Sequence, residues 1–473
     1  MSAAAPIDPE RLADALRSLQ HGLLERETAA RLVLLAALAG EHTLLIGPPG
    51  TAKSELARRL HRCFAEAGYF ERLLTRFSTP EELFGPLSLK ALEDDRYERL
   101  VAGFLPTAGI AFLDEVFKAS SAILNALLTL LNEREFDNGS GRQRVPLISV
   151  VAASNEVPVD DALHAFYDRF LVRVPVAPVG DEAFATLLQL PAAAPPAPRR
   201  PFDDEDRQAC RRDAGAVTLE PGVVQACEAL RRWLAARQLA LSDRRWRQWI
   251  GLMRVAASTE GRSSVDELDL WLAPYVASPS PELVAPIAHW FQHEWLGATA
   301  DTAPWLTHAV EAFEKQIEIE RTAGPEDAAG AADGAGKLAL ARAIAGPAAA
   351  AAGEAMPRIV AAALEEASRR RYSSAHVAAR LAQIDELRDR LRARRAAAAA
   401  RLDELERRLR QRVWVPPGVA AAWARAHRDS VATLDALDAR AVAAREGFAR
   451  LPLDPDNREP GPAPVPMPPA EPG

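Results

Sequence analysis

Apolar and polar positions across residues 9–174 fall into short solid runs separated by stretches of helical spacing. Residues 42–46, 110–113, 147–152 and 170–174 are apolar runs of strand length, and 73–77 reads as a further strand. Helix-period patterns lie around them. One covers 9–39, with Leu12, Leu16 and Leu19, then Leu32, Leu34 and Leu35. A second covers 118–135, with Ile123, Leu127, Leu130 and Leu131 on one face, and a third covers 160–169. Strands alternating with helices predict a parallel five-stranded α/β sheet flanked by helices. His21-Gly22-Leu23-Leu24 interrupts the first pattern, where a loop could pass over a bound base. Thr79-Pro80-Glu81-Glu82 opens a helix with a good cap and an acidic first turn. Two β-hairpins are predicted. One joins 87–92 to 97–101 around Glu93-Asp94-Asp95-Arg96, and the other turns at 137–141.

The remaining pattern is helical. Residues 191–202 are a proline-rich linker by composition, which closes an α/β domain at 1–190. Residues 203–300 read as an all-α lid, helical throughout 203–295. Leu306, Val310, Phe313 and Ile317 give 304–322 an apolar stripe. One long helix spans 373–412, its stripe interrupted by Arg388 and Arg395. A Pro-Pro-Gly turn at 416–418 leads to a second helix at 419–448, with Trp423, Leu434 and Leu437 on its apolar side. These three helices, in 304–322 and 373–449, predict a helical bundle or coiled-coil stalk. The Ala/Gly-rich stretch 323–372 is expected to be flexible, and the proline-rich tail 451–473 disordered.

Candidate chemistry sits after the first strand. The stretch GPPGTAKSE, Gly47, Pro48, Pro49, Gly50, Thr51, Ala52, Lys53, Ser54 and Glu55, links a strand to a helix start. Backbone N–H groups of such a loop turn inward, and the helix dipole adds positive potential, so it forms a phosphate cradle. Lys53 would reach the β- and γ-phosphates, and Ser54 would place its hydroxyl on Mg²⁺. Ala52 stands where the usual pattern has glycine, which is tolerable while its φ stays negative. An ordinary Gly-Pro turn would use similar residues. The second element is Asp114-Glu115, which ends the run 110–113. Asp114 would hold the Mg²⁺ shell and Glu115 would polarise an attacking water. A solvated helix cap is the other use of such a pair.

Composition narrows the class. The chain has 473 residues, 48% hydrophobic and 6% aromatic, with a net charge of −8. An acidic balance without a basic, aromatic-bearing module argues against nucleic acid as the main partner. No apolar run is long enough to span a bilayer, and the N-terminus lacks the pattern of a signal peptide. Cys63, Cys210 and Cys227 show no metal-ligand spacing, so a cytoplasmic, reducing location is expected.

Several long stretches resemble the MoxR family of AAA+ ATPases, and within it the RavA branch. They are GPPGTAKS at 47–54, RFSTPEELFGPLS at 76–88, FLDEVFKASSAILNALLTLLNERE at 112–135, VAASNE at 151–156, YDRF at 167–170 and LSDRRW at 241–246. The alanine before Lys53 is shared with that family. The resemblance implies ATP and Mg²⁺ as cofactors and adds roles for four residues. Asn155 matches a polar sensor between the γ-phosphate and the water, although asparagine is also common in turns. Arg169 matches an arginine finger reaching a neighbouring subunit, although a helix C-terminus favours arginine anyway. Arg244 matches a second sensor in the lid, with Arg245 as its rival. The 87–101 hairpin resembles an insertion facing the central pore of a ring. The β-rich domain that the RavA branch carries has no counterpart in 323–371. That removes the ground for the branch's lysine decarboxylase partner. The implied function is a homo-hexameric ATPase that remodels or matures a protein client with a von Willebrand factor A domain partner. A nucleotide-gated scaffold and a DNA-associated motor are the alternatives.

Overall fold

The structure, a computed structural model, describes residues 7–139, 141–158, 160–191, 195–295, 304–322, 371–458 and 460–465. The central strands are β1 (Thr43–Ile46), β2 (Tyr69–Leu73) and β3 (Ile110–Asp114). After a hairpin of β4 (Glu135–Asp137) and β5 (Arg142–Arg144) come β6 (Ser149–Ser154) and β7 (Val172–Pro175). The five-stranded sheet has the order β2-β3-β6-β1-β7 and every pairing in it is parallel. All residues of β1 and β6 are buried. Strands covered on both faces need continuous apolar runs rather than alternation, which is why these two stand out in the sequence. Covering helices include α1 (Pro9–Gln20), α2 (Glu27–Ala39) and α3 (Lys53–Arg62). Nine of the residues of α2 are buried.

Several expectations shift. The second strand lies at 69–73, not 73–77, and Phe77 is 91% exposed. As an edge strand β2 buries Phe70 and leaves Glu71 and Arg72 half-buried, so it carries no solid apolar run. The last strand begins at Val172 rather than residue 170. A helix α4 (Pro80–Phe84) does open at Thr79, with a capping box to Glu82. The first hairpin is reduced to one bridge, Leu87 to Arg99. Between its arms runs a short helix, α5 (Leu89–Glu93), because Ser88 caps it through Ala91 N and the run Leu-Lys-Ala-Leu-Glu favours a helix. The second hairpin forms as expected, β4 antiparallel to β5. It follows α6 (Ser121–Glu133).

After α7 (Asp161–Tyr167) and α8 (Asp181–Leu188), the proline-rich segment is tied to α1 rather than free. Arg11 donates to the carbonyls of Arg200 and Pro201, and Ser18 to that of Pro196. The lid comprises α9 (Asp204–Ala214), α10 (Pro221–Ala235), α11 (Asp243–Thr259), α12 (Ala273–Ala277) and α13 (Val284–Trp290). It is not purely helical, since β8 (Thr218–Leu219) pairs in parallel with β9 (Ser264–Val265).

The chain divides into two compact units, one of residues 1–298 with 406–423, the other of 299–405 with 424–473. In the second unit, α14 (Pro304–Thr322), α15 (Ser374–Arg410) and α16 (Pro417–Ala449) share a core of Leu306, Phe313, Ile384, Leu391, Leu437 and Phe448. The arginines that break the stripe of α15 face acids of α16, Arg388 against Asp438 and Arg395 against Asp435. The tail expected to be disordered is in part ordered. Leu451 and Val465 join this core, and Tyr372 N donates to Pro452 O. Apolar residues scattered among its prolines supply the anchors. The Ala/Gly-rich stretch lies outside the described residues apart from 371–372.

The turn joining α15 to α16, where the Pro-Pro-Gly sequence lies, belongs to the first unit. Trp414 is 1% exposed and its indole donates to Thr259 Oγ1 at 2.8 Å. The buried Glu260 carboxylate accepts from Val413 N and Trp414 N, and Arg412 reaches Glu260 and Asp266. Trp414→Ala is expected to destabilise the first unit by about 3–5 kcal/mol, the usual range for losing a buried tryptophan. Urea unfolding followed by tryptophan fluorescence would measure it.

Candidate active site

Because β1, β3 and β6 are parallel and in register, their last residues reach one edge of the sheet together. Gly47 N donates to Ser154 O, and Leu113 pairs with Ala152. Gly47 has to be glycine, since a Cβ there would meet Val176 O at 2.0 Å. The loop then exposes Pro48, Pro49 and Gly50, with Gly50 at φ 79°. Thr51 Oγ1 donates back to Pro48 O at 2.9 Å. Ala52 does not keep a negative φ. It sits at φ 64°, ψ 26°, left-handed, at a cost of about 1–2 kcal/mol for a residue with a Cβ. The turn into α3 requires that conformation whichever residue stands there.

Lys53 opens α3 with its ammonium turned onto the carbonyls of Gly47 and Pro48 at 2.7 and 2.8 Å. Burial pulls its pKa below the ordinary value, and Asp114 and Glu115 pull the other way. Ser54 is half-buried in the first turn, while Glu55 pairs with Arg59 along the helix. A buried ammonium held only by carbonyl dipoles, beside two carboxylates, suits a triphosphate with a divalent cation. Asp114 Oδ1 accepts Glu115 N at 3.0 Å. Glu115 takes φ 52°, which turns its side chain away from the strand direction. Its Oε1 accepts from Asn155 Nδ2 at 2.6 Å and its Oε2 lies 3.3 Å from Lys118 Nζ. Lys118 was not singled out in the sequence. Its spacing of three residues from Glu115, across a single turn, is the signal that could have found it.

Arg169 and Arg244 are elsewhere. They line a cavity of about 150 Å³ with Gly40, Glu41, His42, Asn132, Arg134 and Gln248. Glu41 and His42 precede β1, so this cavity lies at the amino edge of the sheet, opposite the phosphate loop. Arg244 donates to Asn132 Oδ1 at 3.1 Å, and Arg169 Nε is enclosed without a protein acceptor. Within the chain Arg244, matched to a second sensor, stands away from the loop of Gly47–Ser54. Its rival Arg245 differs from it in burial. Arg245 is 2% exposed and donates to the carbonyls of Val276, Phe170 and Leu171 and to Asp168, which occupies it fully inside the chain. Burial brings its pKa down to about 9.

A family model described as the MoxR domain in the MoxR-vWA-beta-propeller ternary systems matches residues 10–197, and one described as an AAA lid domain matches 222–291. Two uncharacterized proteins of Methanocaldococcus jannaschii are 41% and 40% identical over 261 and 255 residues. The match takes in 55% and 54% of this chain and 69% and 66% of theirs. The protein MoxR of Paracoccus denitrificans is 31% identical over 181 residues, 36% of this chain and 52% of its own. The chain belongs to the MoxR family of AAA+ ATPases.

In this MoxR-family chain the first match holds the phosphate loop, Asp114, Glu115, Asn155 and Arg169, and the second holds Arg244. The helices after residue 304 lie beyond both. The amino-edge cavity has its own electrostatics, which the sequence did not reveal. Burial raises the Glu41 carboxyl to about 7, with Arg134, Arg244 and Arg211 opposing that rise and Gln248 donating to it. His42, fully buried, is pushed well below its ordinary value. It is neutral, accepting Val150 N at Nδ1 and facing Leu131 O with Nε2.

These shifts predict a pH effect. Unfolded Glu41 titrates near 4.5 and folded Glu41 near about 7, so the folded chain binds more protons between those values. Its stability then falls as pH rises through that window. Glu41→Gln removes this slope. It is expected to raise stability by about 2 kcal/mol at pH 8 and to change little at pH 4.5. Melting temperatures of both proteins from pH 4.5 to 8 would check it.

Proposed function

We propose that this chain is a Mg²⁺-dependent ATPase that works as a homo-hexameric ring. The observation that carries this is the split of its charged groups between two edges of one sheet. Lys53, Ser54, Asp114, Glu115 and Asn155 gather at the carboxyl edge. Arg169 and Arg244 wait at the amino edge, beyond β1, a rise of about 13 Å for four residues. Neither arginine serves its own loop. In a ring, each would meet the loop of a neighbour, which accounts for an exposed Arg244 and for an Arg169 Nε that has no acceptor among the described residues.

In this reading the loop N–H groups and Lys53 bind the triphosphate. Ser54 and Asp114 would hold a magnesium ion, which would neutralise phosphate charge. Glu115 takes the proton of the attacking water. The bond from Asn155 and the contact from Lys118 fix that carboxylate before substrate arrives. Arg169 and Arg244 of a neighbouring copy stabilise charge on the γ-phosphate, the largest contribution a phosphoryl-transfer site makes. The description of the matched family model supports a von Willebrand factor A protein and a β-propeller protein as companions. In this reading the ring remodels a protein client. A cytoplasmic setting, where ATP is plentiful, suits this. No described helix is long and apolar enough to cross a membrane.

Glu115→Gln should keep Mg·ATP affinity and lose turnover by about 10²–10⁴, while Lys53→Ala should lose the affinity itself. Equilibrium binding and phosphate release would be measured on both, and parental turnover by Glu115→Gln would sink the assignment. Arg169→Ala and Arg244→Ala should each cut turnover with affinity retained. For Arg169 the loss should approach about 10³-fold. Mixing Arg169→Ala with Glu115→Gln subunits should restore activity where an intact finger meets an intact glutamate. Mixed rings that stay inactive would remove the role across subunits.

A further inference from the structure

We propose that Arg26 is a positioning residue for the phosphate loop, holding the strained Thr51–Ala52 peptide so that the Ala52 N–H faces the phosphates. This rests on the reading that nucleotide binds at that loop. Arg26 sits in the turn between α1 and α2 and is 7% exposed. Its guanidinium is spread over three backbone carbonyls, with Nε to Thr51 O at 3.1 Å, Nη1 to Glu25 O at 2.8 Å and Nη2 to Ala177 O at 2.6 Å. The neighbouring Glu25, at φ 56°, accepts Gly180 N at 3.0 Å. Two consecutive residues thus stitch the phosphate loop to the stretch leaving β7.

A trans peptide points its C=O and N–H to opposite sides. Drawing Thr51 O toward Arg26, on the underside of the loop, turns the next N–H, that of Ala52, toward the open side. The orientation has to be held because Ala52 is left-handed, a conformation a methyl-bearing residue leaves readily when free. On its other flank Ala52 is fixed by the helix, since Leu56 N donates to Ala52 O at 3.1 Å. Burying a cation against neutral carbonyls is costly, and its three hydrogen bonds offset that cost only in this loop geometry, which favours it before substrate arrives. Lysine in place of Arg26 would keep the charge. It has no planar fork to reach Thr51, Glu25 and Ala177 at once.

The test is a double-mutant cycle on the full chain, read as the affinity for a fluorescent Mg·ATP analogue, with melting temperature as a separate measurement. Arg26→Lys should weaken affinity about tenfold in the parent, as expected for one lost charged hydrogen bond. In the Ala52→Gly background, where glycine takes the left-handed turn without strain, the same change should cost at most about threefold. Arg26→Gln should behave as Arg26→Lys does. Parental affinity in Arg26→Lys would overturn the proposal, because charge or nothing would then be the role. Equal losses in both backgrounds would also overturn it, leaving Arg26 as a general structural tie. Lys53→Ala is run alongside. If it binds like the parent, the nucleotide reading fails. If it loses binding while Arg26→Lys does not, only the present proposal fails.

Discussion

Parallel pairing of β1 with β6 and of β6 with β3 is the constraint on which the rest depends. These strands are buried on both faces and in register, so their ends are fixed to within a residue. Everything chemical hangs from those ends. The phosphate loop leaves β1, Asp114 and Glu115 leave β3, and Asn155 leaves β6. A slip of one residue in any pair would move a carboxylate by about 3.3 Å and turn it to the other face. The same pairing sets the opposite edge, where the segments entering β1 and β7 bring Glu41 and Arg169 into one cavity.

Much of this was legible because certain jobs admit few residues. A close approach to Val176 O demands glycine at 47, and a doubly covered strand demands a solid apolar run, so the loop and β1, β3 and β6 could be read from the chain. What escaped depended on context. β2 lies at the sheet edge and needs only half its residues apolar, so its true span at Tyr69–Leu73 carried a weak pattern. The insertion read as a hairpin because an alternating pattern and a short capped helix look alike over five residues. The edge on which Arg244 lies is set by how α11 packs, and no local spacing encodes that. Proline content made the tail look unfolded, whereas two apolar anchors, Leu451 and Val465, were enough to seat it.

Buried guanidinium groups recur at the joints of the first unit. Arg26 joins the α1–α2 turn to the loop, Arg245 joins the lid to the entry of β7, and Arg134 joins α6 to Gly40 and Leu147. In each case backbone carbonyls accept, and Arg245 adds one carboxylate, Asp168. Five donors in a plane can satisfy several chain ends at once, which a point charge cannot do. The sequence shows these residues only as arginines among many, since most of their partners are main-chain atoms and leave no pattern.

The turn that carries Trp414 has a consequence for how the molecule is made. The lid's own helices end near residue 295, yet Thr259 and Glu260 take further partners from residues 412–414. A ribosome adding roughly 5–20 residues each second leaves this part of the lid incomplete for on the order of ten seconds after its helices emerge. During that interval Thr259 Oγ1 and the Glu260 carboxylate lack the donors that residues 412–414 supply. The lid therefore gains these hydrogen bonds only once residues 412–414 have been made.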